Sequence, residues 1–150
     1  MIYASEYKLD FVPFENKFLK GYIDRIEQIS DDDFFVYDYK TGSAKPKTQI
    51  ADGKSYEGYL NQLRFYKYAF EIQNPGKTVL RAGLIFVEEP DKSFYTDLNC
   101  DDNEIIKEKM KYVFDNLEKL NFNLPMPDER NCEHCDYIHL CKLSDMKDVK

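Results

Sequence analysis

Asp24, Asp38 and Lys40 are the side chains of this chain whose types and spacing could do chemistry together. In Phe35-Val36-Tyr37-Asp38-Tyr39-Lys40, strand alternation sends Tyr37 and Tyr39 to one face and Val36, Asp38 and Lys40 to the other. An acid and a lysine then share a face at the end of a strand. On the preceding segment Tyr22, Asp24 and Ile26 share a face by the same rule. If the two segments pair through the acidic turn at Ser30 to Asp33, Asp24 approaches Asp38. Two converging carboxylates can hold a hard cation such as magnesium or manganese through oxygen. Such an ion polarises a phosphate and activates water, while a lysine offsets negative charge or orients that water. The bland alternative is a weak, solvated surface pair. Spacing alone leaves both open.

The elements that must position these residues follow from periodicity. Tyr7 to Phe14, Leu19 to Ile29 and Phe34 to Lys40 read as strands, the last two antiparallel across the acidic turn. Gly42 to Gly53, with Pro46 inside it, reads as a polar loop. From Tyr56 to Ile72 the period becomes helical, with Tyr59, Leu63, Tyr66 and Phe70 as an amphipathic stripe, and Asn74-Pro75-Gly76 stops the helix. Val79 to Val87 reads as a central apolar strand, paired with Ser93 to Leu98 across a turn at Glu88 to Lys92. A second helix opens near Asp101-Asp102 and runs to about Leu120, with Ile105, Ile106, Met110, Val113, Phe114 and Leu117 on its apolar side. Strands, helix, strands, helix and a cysteine tail make an α/β arrangement around a mixed sheet. The expected domains are a core over 1–124 and a cysteine-bearing tail over 125–150.

Length and composition bound the rest. With 150 residues, 43% hydrophobic and 15% aromatic, the chain can bury a core and is not globally disordered. It has no apolar run of membrane-spanning length and no signal-peptide pattern, so a cytoplasmic location is the expectation. The net charge of -7 runs against nucleic-acid binding, which normally needs a basic face. Either nucleic acid is not the partner, or this piece holds an acidic metal site while another part of a larger protein grips the strand.

Gly21-Tyr22-Ile23-Asp24-Arg25-Ile26-Glu27, then Asp38-Tyr39-Lys40-Thr41-Gly42, then Gln62-Leu63 with Tyr66, resemble the RecB-like branch of the PD-(D/E)xK nuclease superfamily. The match is close over residues 19 to 70, and the layout of the remainder agrees. The resemblance implies a restriction-endonuclease-like core with Asp24, Asp38 and the main-chain carbonyl of Tyr39 as metal ligands. It makes Lys40 the catalytic lysine and Gln62 and Tyr66 an auxiliary motif on the next helix. Being four apart, Gln62 and Tyr66 lie on one helix face, which holds independently of the resemblance. The family also has an upstream helix with a further His or Glu ligand. Glu6 is a poor match for it, so the resemblance implies a domain truncated at its N-terminus.

Cys132, Cys135 and Cys141 have metal-ligand spacing in a chain without secretory features. They resemble the C-terminal cysteines of the iron–sulfur subset of this branch, which includes AddB-type helicase-nuclease subunits. The resemblance implies that they ligate a 4Fe-4S cluster with a distant fourth cysteine. Cys100 does not match that position and reads as an ordinary strand-end residue, so no intact cluster is expected in this piece alone. Zinc with His134 or His139 is the minor alternative. The expected function is a magnesium-dependent DNA exonuclease domain of a RecB/AddB-type repair and recombination enzyme, acting on DNA beside a helicase subunit. The rivals are a catalytically silent DNA-binding or subunit-assembly domain and a small zinc-binding interaction module.

Overall fold

The N-terminal strands form a meander. In the computed structural model, which describes residues 1–53, 56–121 and 136, β1 (Ile2–Phe14) turns tightly into β2 (Lys17–Gln28), and β2 into β3 (Asp33–Lys40). A short helix α1 (Lys47–Ala51) and the long α2 (Glu57–Gln73) lead to β4 (Thr78–Phe86). A 3-10 turn at Pro90–Lys92, β5 (Phe94–Asp97) and α3 (Cys100–Glu118) follow. The sheet runs β1-β2-β3-β4-β5 in space. β3 and β4 are parallel, and every other neighbouring pair is antiparallel. This is the expected mixed sheet with flanking helices. The chain divides into two compact units, Met1–Tyr112 and Val113–Lys150. The sheet and the candidate site lie in the first.

A parallel pair cannot be closed by a hairpin, so β3 must reach β4 by a crossover, and α2 is that crossover. It packs against β1, β3 and β4. Its Leu63, Ala69 and Phe70 are fully buried, as are Leu9, Ile23, Ile26, Phe34, Val36 and Leu84 of the sheet, and the Phe70 and Phe34 rings lie 5.1 Å apart. The Asn74 side-chain amide donates to Phe70 O at 2.8 Å, ending the helix where the Asn-Pro-Gly run predicts. A buried ion pair fastens α2 to β4: Lys67, only 2% exposed, lies 2.5 Å from Glu71 and donates to Val79 O at 2.9 Å. Glu71 in turn accepts from Val79 N at 2.8 Å and from the Asn103 side chain at 2.7 Å. Arg64 adds a 2.8 Å bond to Asp102 near the start of α3. There Asn99 caps the helix, its side chain accepting from Asp101 N and its own N–H reaching Asp102.

Several elements differ from the sequence reading. β1 starts at Ile2 rather than Tyr7, because β2 continues far enough to pair with it. Its loose alternation comes from irregularities. Phe11, at φ 53°, sits in a register shift between Leu9 and Val12, and Glu6 adopts φ 51°. The loop before α2 contains α1, whose single buried side chain, Ile50, gives no periodic signal. On α3, Ile106 is the buried member of the expected apolar side among the described residues, while Val113 and Leu117 are about half exposed. Tyr59 of the expected α2 stripe is half-buried rather than core.

On the sheet face away from α2, Gly83 of β4 sits between its register partners Tyr37 and Tyr95. Those rings meet edge-on with centroids 6.4 Å apart. A Cβ at Gly83 would stand 2.8 Å from the Tyr95 ring, so that ring must shift, and 3.0 Å from the Tyr37 ring, which must give by a few tenths of an ångström. Gly83→Ala should therefore destabilise the fold by about 1–3 kcal/mol through overpacking. Urea denaturation checks this, and an unchanged midpoint would show that the rings part freely.

Candidate active site

The site is built where β3 ends beneath α2. Asp38 is 4% exposed, a carboxylate that needs compensation from its surroundings. Its Oδ1 accepts from the Gln62 side-chain amide at 2.7 Å and from the Tyr66 hydroxyl at 3.0 Å. Gln62 also donates to the Tyr66 hydroxyl at 3.0 Å. Its other end accepts from Lys40 Nζ at 2.7 Å, so one amide holds both the acid and the lysine of β3. Lys40 Nζ lies 2.8 Å from Asp38 Oδ2. That oxygen is shielded from solvent and has no aligned hydrogen-bond donor, so Lys40 supplies charge rather than a directed bond there. Burial first, then the neighbouring Asp38 charge, pushes the Tyr66 phenol far above its ordinary range, which keeps it a neutral donor.

Asp24 arrives from β2. The β2–β3 ladder runs from Gln28↔Phe34 to Arg25↔Tyr37, and one further step in that register sets Asp24 opposite Asp38. At this step a side chain replaces the ladder: Asp24 Oδ2 accepts the Tyr39 backbone N–H at 2.7 Å. Asp24 also contributes to the charge that raises the Tyr66 phenol, so its field reaches the same pocket. The strand shifts phase here. Ile23 and Ile26, three apart, are both fully buried, and across the β1 ladder the pairs Ser5↔Arg25 and Tyr7↔Ile23 bracket the strained Glu6. In a strand, the N–H and C=O of one residue leave on the same side. Lys40 O accepts from Val87 N on the β4 side, so the Tyr39 carbonyl leaves toward β2, the side where Asp24 lies.

The opposite face carries the partners of alternation. Arg25 bonds Glu27 and the Tyr39 hydroxyl, and Glu27 accepts from the Tyr37 hydroxyl at 2.9 Å. Burial and the adjacent Glu27 push the Tyr37 phenol up to about 12. These interactions fix the rotations of Tyr37 and Tyr39, and with them the direction in which Asp38 and Lys40 must point.

One neighbour was not singled out from the sequence as a site residue. Lys40 Nζ stands 4.9 Å over the ring of Tyr59, three residues before Gln62 on the same helix. The signal was present, since positions 59, 62 and 66 share a face, but an aromatic in an apolar stripe reads as core. Cys132, Cys135 and Cys141 lie outside the described residues. Cys100 opens α3 instead of ending a strand, and its free thiol is exposed.

The donor set fits a hard divalent cation. Two carboxylates and a main-chain carbonyl are all oxygen, and the buried Asp38 Oδ2 lacks a donor. Among the described residues no cluster of three or more His, Cys, Asp or Glu side chains could hold a metal. A divalent ion held by two carboxylates would complete its shell with water and phosphate.

A restriction-endonuclease-like α/β core, with an Asp-x-Lys strand end facing a second aspartate, defines the class of metal-dependent phosphodiester hydrolases. The profile of the PD-(D/E)XK nuclease superfamily matches residues 1–142, and the chain belongs to that superfamily. No curated protein matches the chain. Among the described residues no helix is long and apolar enough to cross a membrane.

Tyr66→Phe removes one of the two hydrogen bonds to Asp38 Oδ1 and should cost about 1–3 kcal/mol, since it under-satisfies a buried charged acceptor. Gln62→Leu, which also releases Lys40, should cost more. Urea unfolding in a chelator tests both. A Tyr66→Phe protein as stable as its parent would show that the phenol does not support the carboxylate.

Proposed function

We propose that the chain is the nuclease core of a magnesium- or manganese-dependent DNA exonuclease of the RecB-like branch, in an AddB-type repair and recombination enzyme. The observation that carries this reading is the joint fixation of Asp38 and Lys40 by Gln62, beside an Asp24 that has displaced the ladder at Tyr39. Asp24, Asp38 and the Tyr39 carbonyl would hold the cation. When bound, it would supply Lewis-acid polarisation of the phosphate and acidify a water.

The chain's own groups do the rest. Lys40 presents its ammonium beside the carboxylates, where it offsets negative charge that builds as the phosphodiester is attacked. Gln62 fixes the ammonium's position, so little reorganisation is needed during reaction. Tyr66, held neutral, keeps Asp38 oriented with one oxygen bonded and the other open. In the complete enzyme, Cys132, Cys135 and Cys141 would give three thiolates to a 4Fe-4S cluster. A helicase subunit would deliver DNA in the cytoplasm, supplying the basic surface that a chain of net charge -7 does not provide overall.

Lys40→Ala should lower magnesium-dependent cleavage of linear DNA by about a hundredfold to a thousandfold, the usual cost of losing one transition-state stabiliser. The ion pair with Asp38 means this variant should also melt lower in a chelator than the parent, and recover in magnesium. Asp38→Ala should abolish the magnesium-dependent rise in melting temperature as well as cleavage. If both variants cleave like the parent, the nuclease reading fails.

A further inference from the structure

Beyond the catalytic cluster, Lys40 is the inner end of a stack that leads away from it. Its ammonium lies 4.9 Å over the Tyr59 ring. Tyr59 stacks on Tyr56, with centroids 5.9 Å apart and planes 14° from parallel. Lys45 Nζ stands 5.9 Å from the Tyr56 ring, at the far limit of a cation–π contact. We propose that Lys45, Tyr56 and Tyr59 form a platform on which unpaired bases of a single DNA strand stack as the strand enters the Asp38–Lys40 centre. The proposal rests on the nuclease reading and names how that site would hold its substrate.

Three observations carry it. First, Tyr56, Tyr59 and Lys45 are half-buried, and among the described residues neither tyrosine hydroxyl has a hydrogen-bond partner and Lys45 has no carboxylate. These groups are not consumed by the fold. Tyr56 sits at the N-cap of α2 without a side-chain capping bond, so its ring is dispensable to the helix. Second, Lys45 meets the Tyr56 ring only at the edge of cation–π range, a contact a base can replace while the ammonium moves to a phosphate. Stacking on an aromatic ring accepts any base, because every base has a π-face. Third, the segment 39–51 holds Lys40, Lys45 and Lys47 and no acid of its own, in a chain of net charge -7, and a carboxylate joined to it from outside the catalytic cluster, Glu89, is held by the Ala44 amide at 2.9 Å. A polyanion approaching the metal-binding carboxylates meets its attraction on this side, which follows β3 directly.

The test is binding of a fluorescent oligothymidine single strand to the whole chain in chelator, read by anisotropy, with cleavage in magnesium measured separately. Tyr56→Ala should weaken binding by roughly fivefold to a hundredfold, the range for losing one base–aromatic stack, while Tyr56→Phe stays close to the parent. Tyr56→Leu, which keeps bulk but not the π-face, should behave like Tyr56→Ala and guards against a folding defect, which a thermal melt would reveal. A strand carrying abasic positions should bind the parent as weakly as the variant binds the intact strand, and Tyr56→Ala should then cost nothing further. The proposal is overturned if the parent does not bind the single strand, if Tyr56→Ala and Tyr56→Leu bind like the parent, or if Tyr56→Ala costs as much on the abasic strand. A parent that shows the expected binding pattern yet cleaves no DNA would sink the nuclease reading and leave the platform standing.

Discussion

A carboxylate taken out of water must be compensated, and the burial of Asp38 organises the candidate site around that requirement. Its one oxygen draws an amide and a phenol from α2, and its other draws the charge of Lys40. Each donor is placed by a different constraint. Gln62 and Tyr66 are set by helical spacing, Lys40 by strand alternation, and the approach of helix to strand by the parallel pairing of β3 with β4. Loosening any of these would leave a buried charge under-satisfied, so fold and candidate site stand or fall together.

The same logic explains why charged residues elsewhere in the core are tolerated. Lys67 is as buried as many of the aliphatic side chains, and its ammonium is met by Glu71 and by the Val79 carbonyl. Glu71 answers the Val79 amide in turn, so the pair also satisfies backbone groups where β4 begins. That junction fixes the far end of α2. The site residues Gln62 and Tyr66 lie on the preceding turns, so the buried ion pair and the buried Asp38 cluster act as two pins on one crossover helix.

The sheet contributes irregularity where Asp24 stands opposite Asp38 in register. A perfect ladder between β2 and β3 would engage the Tyr39 amide with backbone. Instead Asp24 takes it with a side chain, next to a phase shift in β2 and a positive φ at Glu6 on β1. Backbone distortion is costly and persists only when surrounding structure enforces it. Here the enforcing structure is the buried pair Ile23 and Ile26 on one side and the Arg25–Glu27–Tyr37 network on the other.

Much of this was legible in the sequence because alternation and helical period are local rules. They put Asp38 with Lys40, Gln62 with Tyr66, and the helix stop at Asn74. They could not find α1, whose lone buried Ile50 leaves no period, or the early start of β1, which depends on how far β2 extends to receive it. They could not show that Lys67 is buried, since a lysine goes inside only when partners from another element meet it. Nor could they show that Tyr59 covers Lys40 instead of joining the core. Periodicity fixes which face a residue occupies, whereas the group that covers that face comes from a strand or helix distant in sequence, and only the crossover of α2 over β3 decided it.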